Sequence, residues 1–203
     1  MAHVTDNEHL RRIYPLAKGR AALKVLDRLE THTKKYISLS PIVLIGTQGT
    51  EGGADVSPKG EDPGFVHVLD DATIAIPDRP GNNRLDGFQN ILENPKVGLI
   101  FLIPGVDETL RINGIAEIRD DADLLARFAV GGKLPRTVLV IKITEVFLHC
   151  AKALVRSNLW APSSQIDREE LPTMSRMIND QINSNEPEES REAMMARYEK
   201  VLY

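Results

Sequence analysis

The chain has 203 residues, a formal net charge of −4 and a single cysteine. That length can bury one sizeable core and carry a helical appendage. The mild negative charge argues against a general nucleic-acid surface. A lone cysteine excludes an intrachain disulfide and fits a reducing compartment. No apolar run approaches the ~20 residues that span a bilayer, and the polar, early-acidic N-terminus is unlike a secretory leader. A cytoplasmic protein without a membrane or nucleic-acid partner is expected.

Helical periodicity dominates residues 6–39. Thr5 or Asp6 can cap a first helix that carries Leu10, Ile13 and Tyr14 on one side. A second helix is predicted from about Lys18, with Ala22, Val25, Leu26 and Leu29 as its apolar face. His32 to Leu39 reads as a further helix, with His32 a solvated residue. This region has no catalytic signature and is expected to pack or to form part of a subunit interface.

Residues 41–160 read as short strands. Pro41–Thr47 is the first, and Gly49, Gly52 and Gly53 turn the chain into a second over Ala54–Ser57. Lys59 and Gly60 then fall in a loop, Phe65–Leu69 is a third strand and Thr73–Ile76 a fourth. The segment from Ile74 to Ile103 organises the rest. Pro77, Pro80 and Gly81 break the strand. Asn82 or Asn83 can cap a helix with Leu85, Phe88, Ile91 and Leu92 on one face. Asn94-Pro95 ends that helix, and Val97–Ile103 is a buried fifth strand. Thr109–Ile118 is the sixth, with Gly114 marking a bulge or a close approach. Asp120 or Asp121 caps a helix bearing Leu124, Leu125 and Phe128, and Thr137–Leu148 is the last strand. His149–Trp160 switches to helical spacing. Residues 163–203 form an acid-rich extension with two amphipathic helices, one bearing Met174, Met177, Ile178 and Ile182, the other Met194, Met195, Tyr198 and Val201. Many short strands with few inserted helices predict one mainly β domain over 1–203, an antiparallel barrel with N- and C-terminal helices.

Chemistry concentrates in the loop before the central helix. Arg79, Asn82, Asn83 and Arg84 crowd around Pro80 and Gly81. A helix N-terminus offers unpaired N–H groups and arginine a forked donor, a combination that suits a phosphate. The plainer reading is an ordinary turn with solvated arginines. Lys59, Arg111, Lys152 and Arg156 are further candidates, each expected in a loop, beside a cap or near a strand end. Arg111 sits inside a strand-like LRING segment, on the face opposite Leu110 and Ile112. Asp55 can pair with Lys59. His149 and Cys150 invite a metal or nucleophile reading, but the other histidines show no zinc spacing. Alternation along a strand would also turn the two side chains apart, so packing is the better role for Cys150. No GxGxxG opens a dinucleotide-binding helix and no Walker lysine motif is present.

Several segments occur in an order that resembles a known family: SPKG at Ser57–Gly60, PGFV at Pro63–Val66, IPDRPGNNRLD at Ile76–Asp86, NILENPKVGLIFLIPG at Asn90–Gly105, ETLRINGIAEI at Glu108–Ile118 and HCAKALVRSNLW at His149–Trp160. Together they resemble the pyridoxamine 5'-phosphate oxidase-like, FMN-binding split-barrel family, over roughly residues 41–160. The resemblance implies a split β-barrel, an FMN cofactor and a flavin-dependent oxidoreductase of unassigned substrate. Split-barrel relatives that use the deazaflavin F420 or haem, or a non-catalytic flavin-binding module, are the alternatives. It implies a cofactor-binding set of Ser57, Lys59, Arg79, Asn82, Asn83, Arg84, Arg111, Lys152, Arg156 and Trp160, without a protein acid or base. Within that set Ser57 would meet a ring carbonyl or the phosphate, Arg111 would approach the flavin or its phosphate, and Trp160 would stack on the ring or wall off water, unless it only packs. His149 would line the flavin pocket. The family also implies a homodimer with a flavin between the subunits, and NAD(P)H binding only transiently over it. Where the founding oxidases carry RxVLLK, this chain has DVSPKG and FVHVL. The resemblance thus carries the fold and flavin site further than vitamin B6 oxidation.

Overall fold

The computed structural model describes residues 3–200 and 202. Val201, expected on the apolar face of the last helix, lies outside the described residues. The strands are β1 (Ile42–Gln48), β2 (Ala54–Gly60), β3 (His67–Asp70), β4 (Thr73–Asp78), β5 (Lys96–Leu102), β6 (Thr109–Arg119) and β7 (Thr137–His149). The helices are α1 (Asn7–Ile13), α2 (Arg20–Leu23), α3 (Thr31–Leu39), α4 (Asp86–Glu93), α5 (Ala122–Ala126), α6 (Lys152–Ser157), α7 (Met174–Ile182) and α8 (Arg191–Glu199). The strands make one antiparallel sheet in the order β2-β1-β5-β6-β7-β4-β3. The fold is mainly β with helices, as expected.

The sheet does not close through backbone pairing. It curls, and side chains from its two ends meet. Lys59 of β2 forms an ion pair with Asp78 of β4. Glu61, just past β2, takes a two-pronged hydrogen bond from Arg79, just past β4, at 2.9 and 2.8 Å. These pairs lie across the split of the barrel. Inside, alternate residues of each strand fill the core: Val43, Ile74, Phe101, Leu110, Ile112 and Ile141 are fully buried.

Pro77, expected to break a strand, lies inside one, and so does Pro58, just past the predicted end of the second strand. Pro58 sits in β2, at the edge of the sheet, and Pro77 sits in β4 opposite Val138, beyond the last β3 pairing at His67–Ala75. Each has a strand on one side only, where a missing N–H is tolerated. Lys59 therefore lies in a strand, paired with Val43, rather than in a loop. Gly114 sits at a register shift between β6 and β7, and a Cβ there would lie 2.6 Å from Lys142 O. That close approach is what its place in the sequence predicts.

The N-terminal half holds less helix than its periodicity predicts. α2 stops at Leu23 because Leu26 exchanges two backbone hydrogen bonds with Val146, at 3.0 and 2.8 Å. Tertiary pairing overrides helical spacing there. α3 is held by a capping box from Glu30, and Tyr36 reaches Glu108 O at 2.7 Å. Near the other end β7 runs to His149, and α6 is confined to Lys152–Ser157 by left-handed Asn158. Neither α7 nor α8 buries a residue. Ion pairs Arg176–Glu188 and Arg197–Glu189 tie the two and their linker together.

Candidate functional site

The helix after β4 starts later than its asparagines predict. Leu85, not Asn82 or Asn83, is the N-cap of α4, and no side chain caps it. Asn82 Oδ1 accepts from Arg84 N at 3.0 Å, and Asn83 takes a left-handed conformation at φ 58°. Asparagine tolerates that region because its side chain is short and polar. The two asparagines thus shape the loop instead of capping the helix. Phe88 and Ile91 turn inward onto the core, whereas Leu92 is 79% exposed.

This loop walls a cavity of about 190 Å³ in which Lys59, Arg79, Asn82, Asn83 and Arg84 come together. Ser57 lines a smaller adjoining cavity with Lys59, Arg84 and Phe88. Of the ten residues expected to hold a cofactor, these six converge. Arg111 does not join them. It lies on the outer face of β6, 5.5 Å over the Phe147 ring, in a separate apolar cavity with His149 and Cys150. Cys150 lies beyond the end of β7, so strand alternation does not separate it from His149, and both line that one cavity. Lys152 and Arg156 are exposed on α6, and Trp160 donates to Val106 O at 3.0 Å. None of these four lines the cavity at the loop. Asp55 accepts from Asn90 Nδ2 at 2.7 Å, and the expected Asp55–Lys59 pair is absent because Lys59 reaches Asp78.

Three polar residues of the cavity, Asp78, Arg136 and Thr137, were not among the sequence candidates. Arg136 and Thr137 enter it at the start of β7. Register brings them there: Thr137 pairs with Asp78, and Arg136 N donates to Asp78 O at 2.9 Å. Nothing local in KLPRTV signals this, since the partner strand is some sixty residues away. Arg136 Nη1 donates to Asn83 Oδ1 at 2.7 Å. Thr137 Oγ1 is buried, with no hydrogen-bond partner among the described residues. Such orphaned hydroxyls are rare and call for an acceptor.

The charges differ in how firmly they are held. Arg79 and Glu61 side chains are only 11% and 12% exposed, and Arg79 also donates to Phe128 O at 2.8 Å. Lys59 and Asp78 are 30% and 13% exposed, with the Lys59 ammonium 5.5 Å from the Phe88 ring centroid. Arg84 is 77% exposed and touches Asp86 at 2.5 Å. Hydrogen bonding to Asp86, then its charge, raises the Arg84 pKa further. The guanidinium groups of Arg79, Arg84 and Arg136, the Lys59 ammonium and the amides of Asn82 and Asn83 outnumber the one carboxylate, Asp78, and make a donor-rich pocket. That donor set and size fit the phosphate group of a flavin mononucleotide. The flavin ring is far larger than the adjoining cavity of about 50 Å³, so it would extend beyond the cavities at the loop.

No curated protein matches the chain. HupZ of Group A Streptococcus is 21% identical over 59% of this chain and 94% of its own, with a TM-score of 0.48. General Stress Protein 26 of Bacillus anthracis is 15% identical over 58% and 94%, with a TM-score of 0.43. An FMN-binding protein of Syntrophomonas wolfei is 15% identical over 58% and 80%, with a TM-score of 0.42. The sequence profile of pyridoxamine 5'-phosphate oxidase matches residues 29–150. With more than half its length matched in this way, the chain belongs to the pyridoxamine 5'-phosphate oxidase family.

Proposed function

We propose that this protein is an FMN-dependent oxidoreductase that holds the FMN phosphate at the loop between β4 and α4. The observation that carries this reading is the convergence of Arg84, Arg136, Asn82 and Asn83 on one cavity, with Thr137 in its wall and the Thr137 hydroxyl buried without a hydrogen-bond partner among the described residues. Arg84 and Arg136 would neutralise the phosphate dianion, and Thr137 would donate to one of its oxygens. Asn83, left-handed and bonded to Arg136, sets the direction in which that guanidinium points. Ser57, on the inward face of β2, extends the donor surface toward the flavin, beside Lys59, which is held by Asp78. When bound, FMN supplies electron transfer, and the chain's residues bind, orient and shield it.

The ring would be enclosed by a second copy of the chain. The outer sheet face supports this: Val56 is 68% exposed and Ile100 40%, around an apolar cavity of about 560 Å³. Apolar faces of that kind mark interfaces. A two-fold dimer would bury the same face on both copies and bring Arg111 and His149 of that face toward the flavins. A cytoplasmic location fits the lone cysteine. Among the described residues no helix is long and apolar enough to cross a membrane.

The test is reconstitution. The purified chain should take up FMN with an oxidised-flavin spectrum, prefer it to riboflavin, sediment as a dimer and turn over with NADH or NADPH. Equal affinity for FMN and riboflavin would overturn the phosphate assignment. A spectrum of bound haem or F420 in place of flavin would overturn the cofactor.

A further inference from the structure

A second cavity, of about 450 Å³, lies on the other side of Arg79 from the phosphate loop. Its walls come from the β2–β3 connection, the first residue of β3 and the segment after α5. Phe65, Phe128, Val130 and Leu202 give it apolar surface. His67 stacks on Phe128, with ring centroids 4.0 Å apart and planes 22° apart. Stacking occupies one face of the imidazole and leaves its two nitrogens at the edge. Neither nitrogen has a hydrogen-bond partner among the described residues.

The charged groups facing this cavity are Glu61, Asp62, Arg79 and Arg127. Glu61 and Arg79 satisfy each other across the barrel split. Arg127 has no carboxylate partner among the described residues, and it stands near enough to His67 to act on it electrostatically. Arg127 acts on the imidazole more strongly than the carboxylate of Glu61 does, and Asp62 also lines the cavity. Burial first, then Arg127, lowers the His67 pKa, opposed by Glu61. The imidazole is thereby neutral near pH 7 and keeps one N–H to donate.

From this arrangement we infer a second ligand site, separate from the flavin cavity, that takes a small organic carboxylate with a flat apolar body. The carboxylate accepts from Arg127 and from the His67 N–H, and the body lies against Phe65 and Val130. A bound anion beside His67 favours the charged imidazole, so binding raises the His67 pKa. Affinity then increases as the pH falls through that range.

The experiment is a proton NMR titration of the histidine ring signals of the full chain with benzoate, no flavin being added. The His67 signal is assigned by its loss in His67→Gln. Benzoate should move that signal, raise its titration midpoint and bind roughly tenfold more weakly to Arg127→Gln, as loss of a charge-assisted hydrogen bond requires. Benzylamine, flat but cationic, should leave the signal in place. The inference is overturned if benzoate leaves the His67 signal unmoved, if Arg127→Gln binds as well as the native chain, or if benzylamine binds equally. These readouts involve no flavin, so they stand or fall independently of the phosphate assignment.

Discussion

The seam between β2 and β4 and the loop that follows it both hold cations, in unlike surroundings. At the seam Lys59 and Arg79 face Asp78 and Glu61, with the Arg79–Glu61 side chains only 11% and 12% exposed. In the loop Arg84 is 77% exposed, and Arg136, which reaches the loop from the start of β7, donates to the amide oxygen of Asn83. A buried pair cannot release one partner without stranding the other's charge. An exposed pair contributes little and exchanges its partner readily. Burial thus divides one run of candidate phosphate ligands into two kinds. Those at the seam hold the curled sheet together, and those in the loop are available to a ligand.

The largest effect should come from breaking the seam. Glu61→Ala strands the Arg79 guanidinium and is expected to cost about 3–5 kcal/mol in urea unfolding. Glu61→Gln, which keeps an acceptor, should cost less. Loss of under about 1 kcal/mol in Glu61→Ala would place this pair with exposed ones.

Thr137→Val sharpens the same contrast at the cavity. The change removes a buried hydroxyl with no hydrogen-bond partner among the described residues and keeps the shape of the side chain. It is expected to raise the stability of the flavin-free protein by about 1 kcal/mol while weakening FMN. If both quantities fall together, Thr137 has a structural partner and is not a ligand.

Much of this division was hidden from the sequence. The turn, α4 and β5 were legible because their signals are local: the Pro-Gly loop, the 3–4 spacing of Phe88, Ile91 and Leu92, and Asn94-Pro95. Even so, Leu92, on the predicted apolar face, points to solvent. Lys59 is predicted in a loop but lies in β2, which runs on through Pro58, since proline costs little at a sheet edge. Arg136 and Thr137 were not identified because only the β4–β7 register places them beside Asp78. Arg111 was correctly set opposite Leu110 and Ile112, but the curl of the sheet puts that outer face away from the loop.

On the far side of Arg79, His67 should report its burial through pH. Its folded pKa lies below the ordinary 6.5. The unfolded chain therefore binds the proton more readily, and stability falls as the pH drops below that value. Between about pH 7 and about pH 5 the native protein should lose more stability than His67→Gln. Parallel pH profiles would remove His67 from the account.

The smallest effect is expected at Cys150, which is exposed and far from both seam and loop. Cys150→Ala should change stability by less than about 0.5 kcal/mol and leave FMN uptake intact. Near-complete loss of flavin in the folded variant would move the site to the outer face.

The most direct measurement is the ratio of FMN to riboflavin affinity in the Arg84→Ala, Arg136→Ala double variant, with urea unfolding as control. Each lost charge-assisted hydrogen bond is worth about 1.5–3 kcal/mol, roughly ten- to a hundredfold in affinity. The expected result is a ratio that collapses toward one while stability changes little. A ratio that stays at the native value in the folded variant would contradict the account and return the phosphate to the seam cations.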